Sequence, residues 1–196
     1  MRILSKKWYN ILEIKNVKST KEMESYMVKI IEKYKEIDFD LLFEVYKNVP
    51  KKIIEEYYPK CNYEEGLKEY KLEYEDFIKD FLKRPNNFLA INIKDDIYVS
   101  AFRLIGLDRK RTEFYLEALE THGSYLRKGY AKELIGDSIK ILNKDKNIKI
   151  ESAIKKGNIA SLETHKRCGF IIDKDYVIFE DGMVRKDCYT MVYKIG

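Results

Sequence analysis

Glycine is scarce in the first half of this chain. Of the nine glycines, only Gly66 precedes residue 100. That half reads as helices, whereas the second half alternates strands and helices. Cysteine is also sparse: Cys61, Cys168 and Cys188 are odd in number and no two have CxxC spacing. A disulfide framework is therefore not expected. The two histidines, His122 and His165, complete no zinc pattern with them, so no metal is expected. No apolar run approaches the ~20 residues that a membrane span needs. The segment Met1-Arg2-Ile3-Leu4-Ser5-Lys6-Lys7 has no apolar stretch of the signal-peptide kind. A cytoplasmic protein without membrane partners is expected. Long Lys/Arg blocks are missing too, and nothing resembles a nucleic-acid-binding signature.

What is present suits a globular domain. The 196 residues are 45% hydrophobic and 36% charged, with 16 tyrosines. Length and composition predict one domain, 1–196, with its own core. Basic and acidic residues interleave, and the formal net charge is +5. Such an excess favours an anionic ligand, for example a phosphorylated cofactor.

Along the chain, Ser19-Thr20-Lys21-Glu22 fits a capping box. Met23, Tyr26, Met27, Ile30, Ile31 and Tyr34 follow at helical spacing. A short helix with Phe39, Leu42, Phe43 and Tyr46 on one face comes next, and Pro50 opens another. Tyr63, Leu67, Tyr70, Tyr74, Phe77, Ile78 and Phe81 form the clearest helical stripe, closed by Pro85. Residues 1–86 are thus read as mainly helical. Strands are predicted over 88–93, 97–107 and 111–121, a helix over 127–142, a strand over 148–154 and a helix over 158–167. Gly169 ends that last helix as a left-handed cap. Residues 170–180 and 186–194 suit a terminal hairpin around Asp181-Gly182. The fold class is α+β (mixed α/β): hairpin strands plus one parallel crossover across 111–154.

Two stretches carry the chemistry. The first, Thr121 to Ala131, joins a strand to a helix through Gly129. Amides at a helix start, together with the positive end of its dipole, form an anion site that suits a pyrophosphate. An ordinary strand-to-helix turn has the same composition, and no GxxxxGK[ST] is present. The second, Asn158 to Phe170, begins a helix one strand later. On its own, Asn158 is equally a helix cap.

Taken together, in this order and spacing, the two stretches resemble the GNAT (GCN5-related N-acetyltransferase) superfamily. Its pyrophosphate loop, Q/R-x-x-G-x-G/A, is matched by Gly129 and Ala131, with Leu126 where Gln or Arg is usual. Its later helix, N-x-x-A/S-x-x-x-Y-x-x-x-G-F, is matched by Asn158, Ser161, Gly169 and Phe170, with His165 in place of Tyr. The resemblance covers about 110 C-terminal residues. It implies a GNAT-like twisted mixed sheet with helices on both faces and an extended helical N-terminal region. Residues 1–86 would then form a lid over the acceptor or a homodimer face, and 87–196 a sheet core with the acetyl-CoA site.

The resemblance also implies a reaction: direct attack of a small-molecule or peptide amine on the thioester of acetyl-CoA. Strand 111–121 would pair with the pantetheine arm through Leu119, Glu120 and Thr121. Leu126, Arg127, Lys128, Gly129, Tyr130 and Ala131 would hold the pyrophosphate. Asn158 would bond the pantetheine region, with Ser161 and His165 near the cofactor. A backbone N–H of the same strand would stabilise the oxyanion. His165 is the positional general acid, and it is equally a structural histidine. Glu117 and Glu120 are candidate bases expected to face opposite sides of the strand, with His122 a third. A catalytically silent acetyl-CoA-binding module is the alternative that the missing Tyr keeps open, and an unrelated α/β protein is a third reading.

Overall fold

A computed structural model describes residues 26–143, 147–179 and 181–194 of the chain. In chain order the strands are β1 (Tyr26–Ile31), β2 (Phe88–Lys94), β3 (Ile97–Gly106), β4 (Glu113–Thr121), β5 (Lys149–Lys155), β6 (Ile171–Lys174), β7 (Val177–Ile178), β8 (Val184–Arg185) and β9 (Cys188–Lys194). The helices are α1 (Phe39–Tyr46), α2 (Lys51–Tyr57), α3 (Tyr63–Lys83), α4 (Tyr130–Leu142) and α5 (Ile159–Arg167). Seven strands form one sheet in the order β1-β2-β3-β4-β5-β9-β6, and β7 pairs with β8 apart from it. Among the described strands only β4 and β5 run parallel; every other pairing is antiparallel. The crossover expected across 111–154 is therefore present, with α4 inside it.

One element differs from its expected type. Residues 26–31 form a strand on β2, from Tyr26↔Lys94 to Ile31↔Leu89, not a helix. Tyr26, Val28 and Ile30 lean on one core and Ile31 on the other, which is a period of two. The segment YMVKII satisfies either period over so short a span. An apolar edge of β2 supplies the partner that decides between them. Tyr34 sits in a 3-10 turn (Tyr34–Glu36) after the strand. Ser19 to Glu22 and Met23 lie outside the described residues.

The remaining N-terminal elements follow their local signals. Asp38 caps α1 by accepting from the Leu41 amide at 3.2 Å. Pro50 stands just before α2, and its carbonyl accepts the first helical bonds. Asn62 and Glu65 close a reciprocal capping box at the start of α3. The terminal hairpin is interrupted: β6 and β7 divide residues 170–180, and β9 inserts between β5 and β6.

Two cores lie on opposite faces of the sheet. Phe102, Leu104, Phe114 and Leu116 meet Leu134, Ile135 and Ile139 of α4 and Leu162 of α5. Leu89, Ile91, Tyr98 and Ala101 meet Phe39, Leu42 and Phe43 of α1 and Tyr74, Ile78 and Phe81 of α3. Helices thus cover both faces, and β2 and β3, buried on both sides, are apolar almost throughout. No described helix is long and apolar enough to cross a membrane.

Candidate active site

The parallel pair opens soon after it forms. β4 and β5 are paired at Glu113↔Lys149, Phe114↔Ile150 and Tyr115↔Glu151, and at no later position. Beyond Tyr115 the two strands separate, while β5 remains fully paired to β9 through Lys155. Residues 116–121 of β4 therefore present an edge toward β5 that β5 does not pair.

A bulge in β4 accompanies the split. Arg103 opposes Glu117, but Ala101, two residues away, opposes Glu120. Ala118 takes up the extra residue with φ +51°, a left-handed value uncommon for a residue with a Cβ. Strict alternation would set Glu117 and Glu120 on opposite faces, and that expectation fails. The bulge puts both on the face of Arg103 and Ala101, toward α1 and α3. Arg103 Nε donates to Glu117 at 2.8 Å, its Nη1 donates to the Tyr74 hydroxyl at 3.2 Å, and its guanidinium lies 4.8 Å from the Phe77 ring. Glu117 is thus committed to an ion pair. Glu120 is exposed and no ion pair involving it occurs among the described residues; partial desolvation of its carboxyl pushes it above the ordinary carboxylate range. Tyr46, the last residue of α1, donates to the Ala118 carbonyl at 2.9 Å.

The turn into α4 lies just past β4. His122 Nδ1 accepts from the Ser124 amide at 3.2 Å and caps a 3-10 turn, Gly123–Tyr125. Its Nε2 lies 3.8 Å from a Glu44 oxygen. Both ring nitrogens are thereby directed at protein. Arg127 (φ +62°) and Gly129 (φ +90°) then have left-handed backbone, and α4 begins at Tyr130. Residues 126–129 are exposed. A Cβ built on Gly129 meets nothing within 4 Å, so the space over the turn is open. The first amides of α4 point out of the helix into that space, since a helix start has no internal partners for them. From below, Ser100 Oγ donates to the Tyr130 carbonyl at 3.3 Å, and Lys94 Nζ bonds the Tyr130 hydroxyl at 3.1 Å.

The second predicted stretch forms α5 as expected, with Gly169 at φ +89° ending it. Asn158 Oδ1 accepts from the Ser161 amide at 3.1 Å and caps the helix. The cap uses the oxygen only; the side-chain Nδ2 still has N–H donors. His165 is buried at 1% exposure, edge-on to Phe170 with ring centroids 5.0 Å apart. Its Nδ1 lies 2.9 Å from the Ser161 carbonyl, which can only accept, so Nδ1 has the proton. Nε2 is buried without a partner. Burial lowers the pKa of this imidazole, with the Ser161 bond acting the other way. A neutral His165 has no labile proton to spare near neutrality.

The profile of the acetyltransferase (GNAT) family matches residues 51–170. The chain belongs to that family. Its general chemistry is acetyl transfer, so the chain is an acyltransferase. Among solved structures, the spermidine N-acetyltransferase SpeG chimera from Vibrio cholerae and hSSAT is similar, at 12% identity, with a TM-score of 0.59 over 86% of this chain and 95% of that chain. PaiA N-acetyltransferase from Thermoplasma acidophilum, solved with coenzyme A, gives 15% identity and a TM-score of 0.57, covering 86% and 99%. A GNAT-family acetyltransferase from Streptococcus pneumoniae gives 13% and 0.56, covering 87% and 100%. At such identities the likeness is one of fold. A comparison with curated proteins found no match.

Against the GNAT pattern, the sequence places the turn at Gly129 and the helix from Asn158, but it gives no polar role to Tyr46 or Arg103. Arg103 carried a usable signal, a lone charge within the apolar run Ile97 to Gly106. A buried charge needs a partner, and Glu117 is the one it finds.

Proposed function

We propose that this chain is an acetyl-CoA-dependent N-acetyltransferase that transfers acetyl to a small-molecule or peptide amine by direct attack. The observation that carries the reading is the split between β4 and β5 leading to an exposed left-handed turn at the start of α4. These parts suit the cosubstrate. The unpaired edge of β4 offers backbone groups to the amide-bearing pantetheine arm, with Leu119, Glu120 and Thr121 beside it. The open turn from Leu126 to Ala131 offers amides and positive charge from Arg127 and Lys128 to the pyrophosphate. Asn158 and Ser161 flank the arm from α5. Acetyl-CoA supplies the activated acyl group, and the remaining roles fall to protein groups.

Glu120 fits the general base better than Glu117, which Arg103 holds, or His122, which caps a turn. A carboxylate with a raised pKa takes a proton from an ammonium more readily than an ordinary one. A β4 amide near the bulge would stabilise the oxyanion. His165 does not fit the general acid, because it is neutral and its one N–H is spent on Ser161. We read residues 1–196 as a single domain whose helices α1 and α3 wall the acceptor side with Tyr46, Tyr70, Tyr74 and Phe77. The test is release of free CoA thiol from acetyl-CoA across a broad amine panel. Release with at least one amine is expected; absence of CoA binding would overturn the assignment. The buried neutral His165 favours one other reading, a module that binds acetyl-CoA without turnover. That reading predicts tight CoA binding and no thiol release with any amine.

A further inference from the structure

Ala118 raises a physical question. An L-residue at φ +51° is sterically disfavoured, and β4 could relieve it by sliding one residue and pairing regularly with β3. Such a slip would carry Glu120 to the α4 face, because strand side chains alternate. Something must hold the bulged register, and two side-chain hydrogen bonds lie over it. Arg103 has donors only, so the Tyr74 oxygen accepts from it. The Tyr74 ring packs against that of Tyr46, with centroids 5.3 Å apart. Tyr46 in turn donates to the Ala118 carbonyl, which can only accept. The Arg103–Tyr74 and Tyr46–Ala118 bonds thus meet at the packed rings of Tyr74 and Tyr46. Arg103 also grips Glu117, so side chains hold β4 at the extra residue and at the one before it.

We infer that Tyr46 is a positioning residue for acetyl transfer: its hydroxyl pins the Ala118 carbonyl and so keeps Glu117 and Glu120 on one face beside the split strands. This rests on the acetyl-transfer reading of that split. It gives α1 a task besides walling the acceptor side, since a helix 72 residues upstream sets the register of the strand that holds the site. It also makes the contribution of Tyr46 depend on the side chain at 118. A glycine there tolerates left-handed backbone, and the bulge would persist without the clamp.

The experiment is a double-mutant cycle of Tyr46→Phe and Ala118→Gly, with melting temperature, amide exchange at residues 117–120 and kcat measured on each. The amine is the one that performs best in the thiol-release panel. Tyr46→Phe keeps the ring, so a folded protein is expected, with amide exchange at 117–120 about tenfold faster and kcat about tenfold lower, the scale of one lost hydrogen bond. Affinity for CoA, set mainly at the turn into α4, should stay within about threefold. Ala118→Gly should recover both readouts in the double variant to within about threefold of Ala118→Gly alone. Wild-type exchange in Tyr46→Phe would overturn the inference. An undiminished loss in the double variant would overturn it as well, because a merely structural role is not rescued at 118. If the wild type releases no thiol with any amine, the acetyl-transfer reading fails, and the exchange data alone decide the clamp.

Discussion

Single residues divide into those whose role is local and those whose role depends on distant partners. Gly129 is of the first kind. Its φ of +90° suits glycine, and no protein atom would meet a Cβ there. Gly129→Val should therefore destabilise the fold by only about 1–2 kcal/mol, the cost of a left-handed L-residue. It should weaken acetyl-CoA binding by a larger factor, because the Val side chain would occupy the space of the pyrophosphate. Calorimetry beside a urea melt checks this; equal affinity in a folded variant contradicts it. Glu120 depends on its surroundings. Its carboxyl titrates above the ordinary range, so the acid limb of the rate profile should lie above ~4.3. Activity should fall as pH drops through that raised value, when the base gains its proton. Glu120→Gln should lower kcat by roughly 10²-fold and remove the limb. An unchanged limb in that variant would move the base elsewhere.

His165 makes its own prediction, one of stability. Its folded-state pKa lies below the ordinary ~6.5, so between the two values the unfolded chain binds more protons. Stability from this group is full above ~6.5 and is lost as pH falls through the lowered value. His165→Phe lacks that dependence. The urea stability of wild type minus variant should therefore decline from pH 8 to pH 5. Parallel curves would mean that the imidazole is not buried neutral.

At the scale of elements, the sequence was legible where local chemistry decides. The starts of α4 and α5, the stripe of α3 and the left-handed Gly169 all follow from residues within one or two turns of one another. Asn62, whose capping box with Glu65 belongs to the same class, went unread although its spacing is regular. Asn62→Ala should cost about 1 kcal/mol in a urea melt, with acetyl-CoA affinity unchanged. No loss of stability would show that the cap contributes nothing. Legibility ended where partners are distant. β1 fits two periods, and only its pairing with β2 selects one. The bulge at Ala118 lacks the glycine that would announce it, and it reverses the facing of Glu120 that strict alternation predicts. The ion pair of Arg103 and Glu117 appears only once β3 and β4 are in register.

Across the whole molecule, the two cores divide the labour. The core under α4 and α5 fixes the turn and the split where the cosubstrate is proposed to lie. The core under α1 and α3 carries the carboxylates and the aromatic wall proposed for the acceptor. The central claim is that one ligand spans the edge of β4 and the turn into α4. Hydrogen–deuterium exchange with and without CoA tests it most directly. Protection concentrated in residues 116–121 and 126–132, with the β1–β2 ladder unchanged, is the predicted result. Tight binding that protects neither segment, or protection confined to another surface, would contradict it.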